Sequence, residues 1–208
     1  MTQPNHNLSI SEVLTSTPHP LYETDPGEMT QNDWVEDIKL STIDGEVFCF
    51  NLYSATLGYS RFHYFEYTEF KTEVDYKRCT SHFFRKIGGL TKIILTDNMS
   101  AIVNVTANEK KKHQSIIQFE KDIGVPIVLC KTRTPETKGK DETSNKFVKW
   151  LYAYDGKIKN KEHLLKIIER LNVDINKQVN TRTNMPPILL FQKEKEYLRP
   201  LPNKQLLD

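Results

Sequence analysis

Cysteine is scarce and scattered: Cys49, Cys79 and Cys130 are the three in 208 residues. They form no CxxC pair and have no histidine at metal-ligand spacing. This excludes a zinc ribbon and a disulfide framework and suits a reducing, cytoplasmic setting. No apolar run approaches the roughly 18 residues that a membrane-spanning helix needs. The N-terminus also lacks the charged-then-apolar layout of a secretory signal. An excess of either charge is missing as well, because 29 Lys and Arg against 27 Asp and Glu leave a net +2. Whole-molecule charge therefore does not announce nucleic acid, and no internal repeat is visible. What is present is 38% hydrophobic and 27% charged residues, a globular balance for one sizeable core with an appendage. Basic charge is concentrated locally, at Lys110-Lys111-Lys112-His113 and from Lys131 to Lys140.

Residues 1–26 are rich in Thr, Ser, Pro, Asn and His without sustained periodicity, and read as a flexible lead-in. Met29 to Ser41 is predicted to be extended. Asp44-Gly45 gives a hairpin signal, Val47 to Tyr53 a second strand and Ser60 to Phe70 a third, with Gly58 in the turn between them. Glu73 to Ile87 has a helical pattern stopped by Gly88-Gly89. Ile93-Ile94-Leu95 is a short apolar run of the kind buried on both sheet faces. A helix over His113 to Ile123 and a strand over Val125 to Cys130 follow. Next come a helix carrying Glu142 and an amphipathic helix from Asn160 to about Asn180, with Leu164, Leu165, Ile168, Leu171 and Ile175 as its apolar face. The proline-punctuated tail from Asn184 onward is expected to leave the domain. A three-strand meander feeding strand–helix crossovers gives a five-stranded mixed sheet flanked by helices, the order of the α/β ribonuclease-H-like fold, here with a C-terminal helical extension. The expected division is a lead-in at 1–26, a core at 27–156, and an amphipathic helix with a Pro-rich tail at 157–208.

Three acids occupy informative places in that layout. Asp33 lies inside the first strand, where Asp is disfavoured. Asp97 ends the short buried strand, where open α/β sheets place ligand sites. Glu142 starts the late helix, with Lys146 and Lys149 on its own face and Asn145 beside them, while Phe147, Leu151 and Tyr154 form a packing face. Each has a plain alternative: an edge-strand acid, an Asp-Asn turn, a surface ion-pair stripe. Asp25, Glu36, Asp37, Asp44 and Asp141 compete as neighbours. Three converging carboxylates repel one another, so such a cluster makes sense when hard divalent cations fill it. Mg²⁺ takes oxygen ligands and leaves room for phosphate oxygens. Two such ions can serve an in-line phosphoryl displacement.

Four stretches carry a family resemblance. They are Glu23-Thr24-Asp25-Pro26-Gly27-Glu28 with Gln31-Asn32-Asp33-Trp34; Leu95-Thr96-Asp97-Asn98; Lys138-Gly139-Lys140-Asp141-Glu142; and Asn180-Thr181-Arg182 with Pro186-Pro187, Phe191, Glu194 and Leu198-Arg199-Pro200-Leu201-Pro202. In this order they resemble the catalytic core of the DDE transposase and retroviral integrase superfamily, specifically the IstA-type bacterial insertion-sequence transposases, over residues 22–203. The resemblance implies Asp33, Asp97 and Glu142 as catalytic metal ligands for Mg²⁺, with Mn²⁺ able to substitute. It implies Asn145, Lys146 and Lys149, beside Lys138 and Lys140 of the basic loop, as DNA contacts. Val35 departs from the family, which often has a small residue there.

The activity implied is hydrolysis at transposon 3′ ends followed by strand transfer into target DNA. The partners implied are DNA, further copies of the chain and an AAA+ ATPase helper, in a bacterial cytoplasm at the nucleoid. Relatives carry N-terminal helix-turn-helix regions and a C-terminal β-rich domain that do not fit here, so a truncated transposase is expected. An idle remnant that binds DNA or partner subunits as an inhibitor is the alternative. A ribonuclease H or junction nuclease on the same fold is a third reading, separable by cleavage preference.

Overall fold

A computed structural model describes residues 24–97, 99–105, 110–130 and 138–202, with backbone only at 105, 110 and 138–143. Most of the lead-in, the Lys131 to Thr137 part of the basic stretch, and Asn98 lie outside the described residues. So do the side chains of Lys110, Lys138, Lys140 and Glu142.

The chain opens with the expected meander: β1 (Met29–Ser41), β2 (Val47–Leu57) and β3 (His63–Thr68). The Asp44-Gly45 turn joins the first two, and Gly45 N–H donates to Thr42 O at 3.1 Å. The third strand is shorter than its aromatic run suggests, because Arg61 N–H returns to Leu57 O and keeps Ser60 to Phe62 in the turn. Helix α1 (Glu73–Ile87) begins at a reciprocal Thr72–Asp75 capping box and ends at Gly88 in the left-handed conformation. Then come β4 (Ile93–Thr96), a small hairpin of β5 (Val103–Val105) and β6 (Lys110–Lys112), α2 (Gln114–Ile123) and β7 (Ile127–Leu129). Three helices close the described chain: α3 (Lys138–Tyr152), α4 (Lys161–Lys177) and α5 (Pro187–Glu194), with a 3-10 turn at Lys195–Tyr197. The β5–β6 hairpin and α5 have no counterpart in the sequence pattern. Both are too short for their periodicity to rise above the surrounding loop.

The main sheet has the order β3-β2-β1-β4-β7, antiparallel on the meander side and parallel at β1-β4-β7. This is the five-stranded mixed sheet of the ribonuclease-H-like fold. Alternation splits the core by face. Trp34, Tyr53, Ala55 and Ile94 pack with α1 and α2 on one side. Ile38, Leu40, Phe50, Leu52 and Phe65 pack with Phe147 and Leu151 of α3 and with Leu164, Ile168, Leu171 and Ile175 of α4 on the other. Leu165 departs from the expected apolar face and is 42% exposed. Val35 is half-buried against the second face, so its size is accommodated.

The tail does not leave the domain. Phe191 is buried in the α1/α2 core, and the fully buried Glu194 accepts from Gly27 N–H at 3.2 Å and Ser60 N–H at 2.9 Å. Leu90 and Arg199 exchange backbone hydrogen bonds of 2.8 Å, and the Arg199 guanidinium donates to Thr91 O and Gly124 O. The approach is close enough to need glycine: a Cβ on Gly27 would lie 2.6 Å from Tyr197 O, and one on Gly89 2.6 Å from Leu198 Cβ. The prolines shape this return rather than ending the domain.

Candidate functional site

The geometry of the acids follows from strand register. Asn32 of β1 and Thr96 of β4 are partners in parallel pairing. Asp33 and Asp97 each stand one residue further on, at the carboxyl end of β4. Asn32 and Trp34 are buried toward α1, so alternation turns Asp33 to the opposite face, where α3 lies. Both aspartates are half-buried. Trp34 N–H donates to Asp33 Oδ1 at 2.8 Å, and Met99 N–H donates to Asp97 O at 2.8 Å. Three residues past Asp33 a β-bulge between Val35 and Ile38 interrupts the β1–β2 ladder, with Asp37 at φ 55° and its N–H bonded to Asn51 Oδ1. Bulges of this kind bend a strand and re-aim its side chains.

The same register reaches α3. Asp33 pairs with Ser54 of β2, and Ser54 pairs with Phe65 of β3, so the three form one cross-strand row on the α3 face. Strands about 4.8 Å apart put the ends of that row roughly 10 Å apart. Phe147 of α3 stacks on Phe65. Glu142 is in the first part of this helix, about 7.5 Å of rise before Phe147. Thus register sets Asp33 of β1 level with Asp97, one residue past the end of β4, and the Glu142-bearing helix packs on the face to which Asp33 alternates. Among residues with described side chains, no group of three or more His, Cys, Asp or Glu could hold a metal ion, and Glu142 is not one of those residues.

Beyond Glu142, α3 presents Asn145, Lys146 and Lys149 to solvent while Phe147 and Leu151 are buried. Lys146 Nζ lies 5.2 Å from the centroid of the Trp150 ring, a cation–π placement. Lys111 is exposed, whereas Lys112 is held by Glu120 at 2.6 Å. Ser54, the buried cross-strand neighbour of Asp33, escaped sequence reasoning, since nothing local marks a serine as the register partner of an acid. A wide groove of about 670 Å³ runs along β3 between α1 and α4. It opens at the far edge of the sheet from β4 and is separate from the acid pair.

This architecture has the fold of retroviral integrase cores. It matches a chain of the simian T-cell lymphotropic virus intasome in complex with PP2A regulatory subunit B56 gamma. The TM-score is 0.63 at 17% identity, over 88% of this chain and 59% of that one. It also matches the catalytic core domain of BIV integrase, with a TM-score of 0.58 at 14% identity, over 82% of this chain and 97% of that one. No protein-family model matches the chain. In sequence it is 32% identical over 190 residues to the transposase for insertion sequence element IS232 of Bacillus thuringiensis subsp. berliner, 90% of this chain and 44% of that protein. A provisionally described transposase for element IS5376 of Geobacillus stearothermophilus is 30% identical over 185 residues, 88% of this chain and 46% of that protein. The chain is thus similar in sequence to insertion-sequence transposases and in fold to retroviral integrase cores. It spans about half the length of the curated relatives it matches. Among the described residues no helix is long and apolar enough to cross a membrane.

Proposed function

We propose that the chain is the catalytic core of a DNA transposase, a divalent-metal-dependent polynucleotidyl transferase that frees 3′ ends of an element and joins them to target DNA. The observation that supports this reading is the Asn32–Thr96 register, from which Asp33 and Asp97 each follow by one residue, with α3 packed on the face to which Asp33 alternates. The donors are carboxylate oxygens, the ligand type that suits Mg²⁺ or Mn²⁺. Asp33 and Asp97 would hold the ion or ions, with Glu142 as third ligand. When bound, the metal supplies activation of an attacking oxygen and stabilisation of the leaving one. The protein's own part is to keep two like charges on adjacent strands and to hold DNA against them. Lys138, Lys140, Asn145, Lys146 and Lys149 would meet phosphates, fixing position without reading sequence. The partners are DNA, further copies of the chain and, on sequence resemblance alone, an AAA+ ATPase helper. The setting would be a bacterial cytoplasm, at the nucleoid.

A thermal titration with Mn²⁺ and Mg²⁺, run on the wild-type chain beside Asp97→Asn, tests this reading. Ion at about 100 times its Kd should add about 2.7 kcal/mol of stability, and Asp97→Asn should abolish that rise together with any nicking of element-end DNA. A rise undiminished in Asp97→Asn would remove the site assignment. No rise in either protein, with or without DNA, would favour a chain that binds DNA or partner subunits without chemistry.

A further inference from the structure

Directly behind the acid pair, on the α1 face of the sheet, a polar layer interrupts the core. Asn32 and Thr96, the register partners on β1 and β4, are both 0% exposed. The Asn32 amide nitrogen reaches Tyr76 Oη and Thr80 Oγ1 at 3.4 Å each, and Tyr53 Oη lies 3.0 Å from Thr80 Oγ1. The two 3.4 Å contacts are at the long limit of hydrogen bonding. Among the described residues Asn32 Oδ1, Thr96 Oγ1 and Trp34 Nε1 have no hydrogen-bond partner. Turning the Asn32 amide over would only exchange which of its two atoms is left out.

Such groups are rare inside proteins, because each has given up its solvation for nothing. Interiors commonly resolve them with an internal water that has two to four polar partners, whereas dry cavities are lined by hydrocarbon. The lining here is polar on both strands. Partner residues of a parallel pair sit about 4.8 Å apart with side chains on the same face, a span that one water can bridge.

We propose that Asn32 and Thr96 bind an internal water between β1 and β4, immediately beneath Asp33 and Asp97. The water donates one O–H to Asn32 Oδ1 and either donates to or accepts from Thr96 Oγ1. Trp34 Nε1, two residues along the same face of β1, is a further buried donor without a partner among the described residues. The water is a side-chain link between the two strands that carry the acids, added to their backbone ladder. It requires the observed strand register and is independent of whether the acids bind metal.

Thr96→Val tests the site through the sign of its effect. Valine keeps the shape and removes only the hydroxyl. If the hydroxyl holds water, the variant loses that bond and its Tm should fall by roughly 2–4 °C in metal-free buffer. If the pocket is dry, valine relieves a partnerless hydroxyl, and a Tm equal to or above wild type would overturn the proposal. A high-resolution crystal structure of the unmodified chain provides the second readout, and it decides alone if Thr96→Val does not fold. Ordered density within hydrogen-bond distance of Asn32 Oδ1 and Thr96 Oγ1 is expected, and an empty space between them would refute it.

Discussion

Phe147 of α3 stacks on Phe65 of β3 with ring centroids 4.0 Å apart and planes 24° from parallel. Phe65 is linked through Ser54 to Asp33 by register, so one aromatic contact anchors the late helix over β3, on the sheet face to which Asp33 alternates. The stack belongs to the α3/α4 core, where both rings are essentially inaccessible. Helix position is therefore set by hydrophobic burial, while the polar side of the helix is left for ligands.

That polar side gives the first prediction. Lys146→Ala and Lys149→Ala are each expected to weaken duplex DNA binding and to reduce the slope of log K against log salt by about one. Fluorescence anisotropy at several salt concentrations reads this directly. An unchanged slope in both variants would exclude phosphate contact.

Glu194 is buried by a distance of 167 residues in sequence from Gly27, whose N–H it accepts along with that of Ser60. Glu194→Ala would strand both donors away from water. A loss of about 3 kcal/mol in urea unfolding is expected. A loss below about 1 kcal/mol would show that the carboxylate does not fasten the tail.

Burial of His63, with the Arg61 charge as a second cause, lowers its pKa to about 3. In the unfolded chain the ring titrates near 6.5, so between pH 6.5 and 3 the unfolded state binds the extra proton. Stability is lost as pH falls through that window, by up to about 1.4 kcal/mol per pH unit from this ring alone. His63→Leu should flatten the stability profile there by close to one proton. Parallel profiles for the two proteins would contradict it.

The outer edge of β3 is closed by side chains. Asn172 Oδ1 accepts from Phe65 N–H at 2.8 Å while its amide donates to Phe65 O at 2.6 Å, and Asn176 does the same for His63 at 2.8 and 2.7 Å. Four residues of helix rise about 6 Å and two of strand about 6.8 Å, so the spacings match. Replacing both asparagines by alanine should cost about 2–4 kcal/mol. It should also leave an edge able to pair with another chain, seen as association on light scattering. An equally stable variant with unchanged mass would rule out the clamp.

Much of the fold was legible because its signals are local. The Asp44-Gly45 turn, the Gly88 stop, the Ile93-Ile94-Leu95 run and the Phe147/Leu151 stripe each state their structure within a few residues. What could not be read depends on distant partners. Asn172 and Asn176 look like ordinary polar helix residues until β3 is placed beside them. Asn32 reads as one more polar strand position until Tyr76 and Thr80 arrive from α1. The tail looked like a departing linker because Glu194 and Arg199 find their partners at Gly27, Ser60, Leu90 and Gly124. At the site, the level register of Asn32 and Thr96, each one residue before an aspartate, needed only the parallel order of β1 and β4. The position of the Glu142 carboxylate depends on a segment whose sequence, Lys-Gly-Lys-Asp-Glu, carries no packing signal of its own.

The return of Arg199 to Leu90 also sets a timetable for synthesis. A ribosome delivers residues from the N-terminus, so β1 to β4 emerge long before the segment that covers Gly27 and Gly89. Until then Ser60 N–H, Thr91 O and the face that receives Phe191 stay open to solvent and to chaperones. The last step in sealing this core waits for that segment to emerge, and a nascent chain paused before Phe191 would be a substrate for quality control rather than a finished domain.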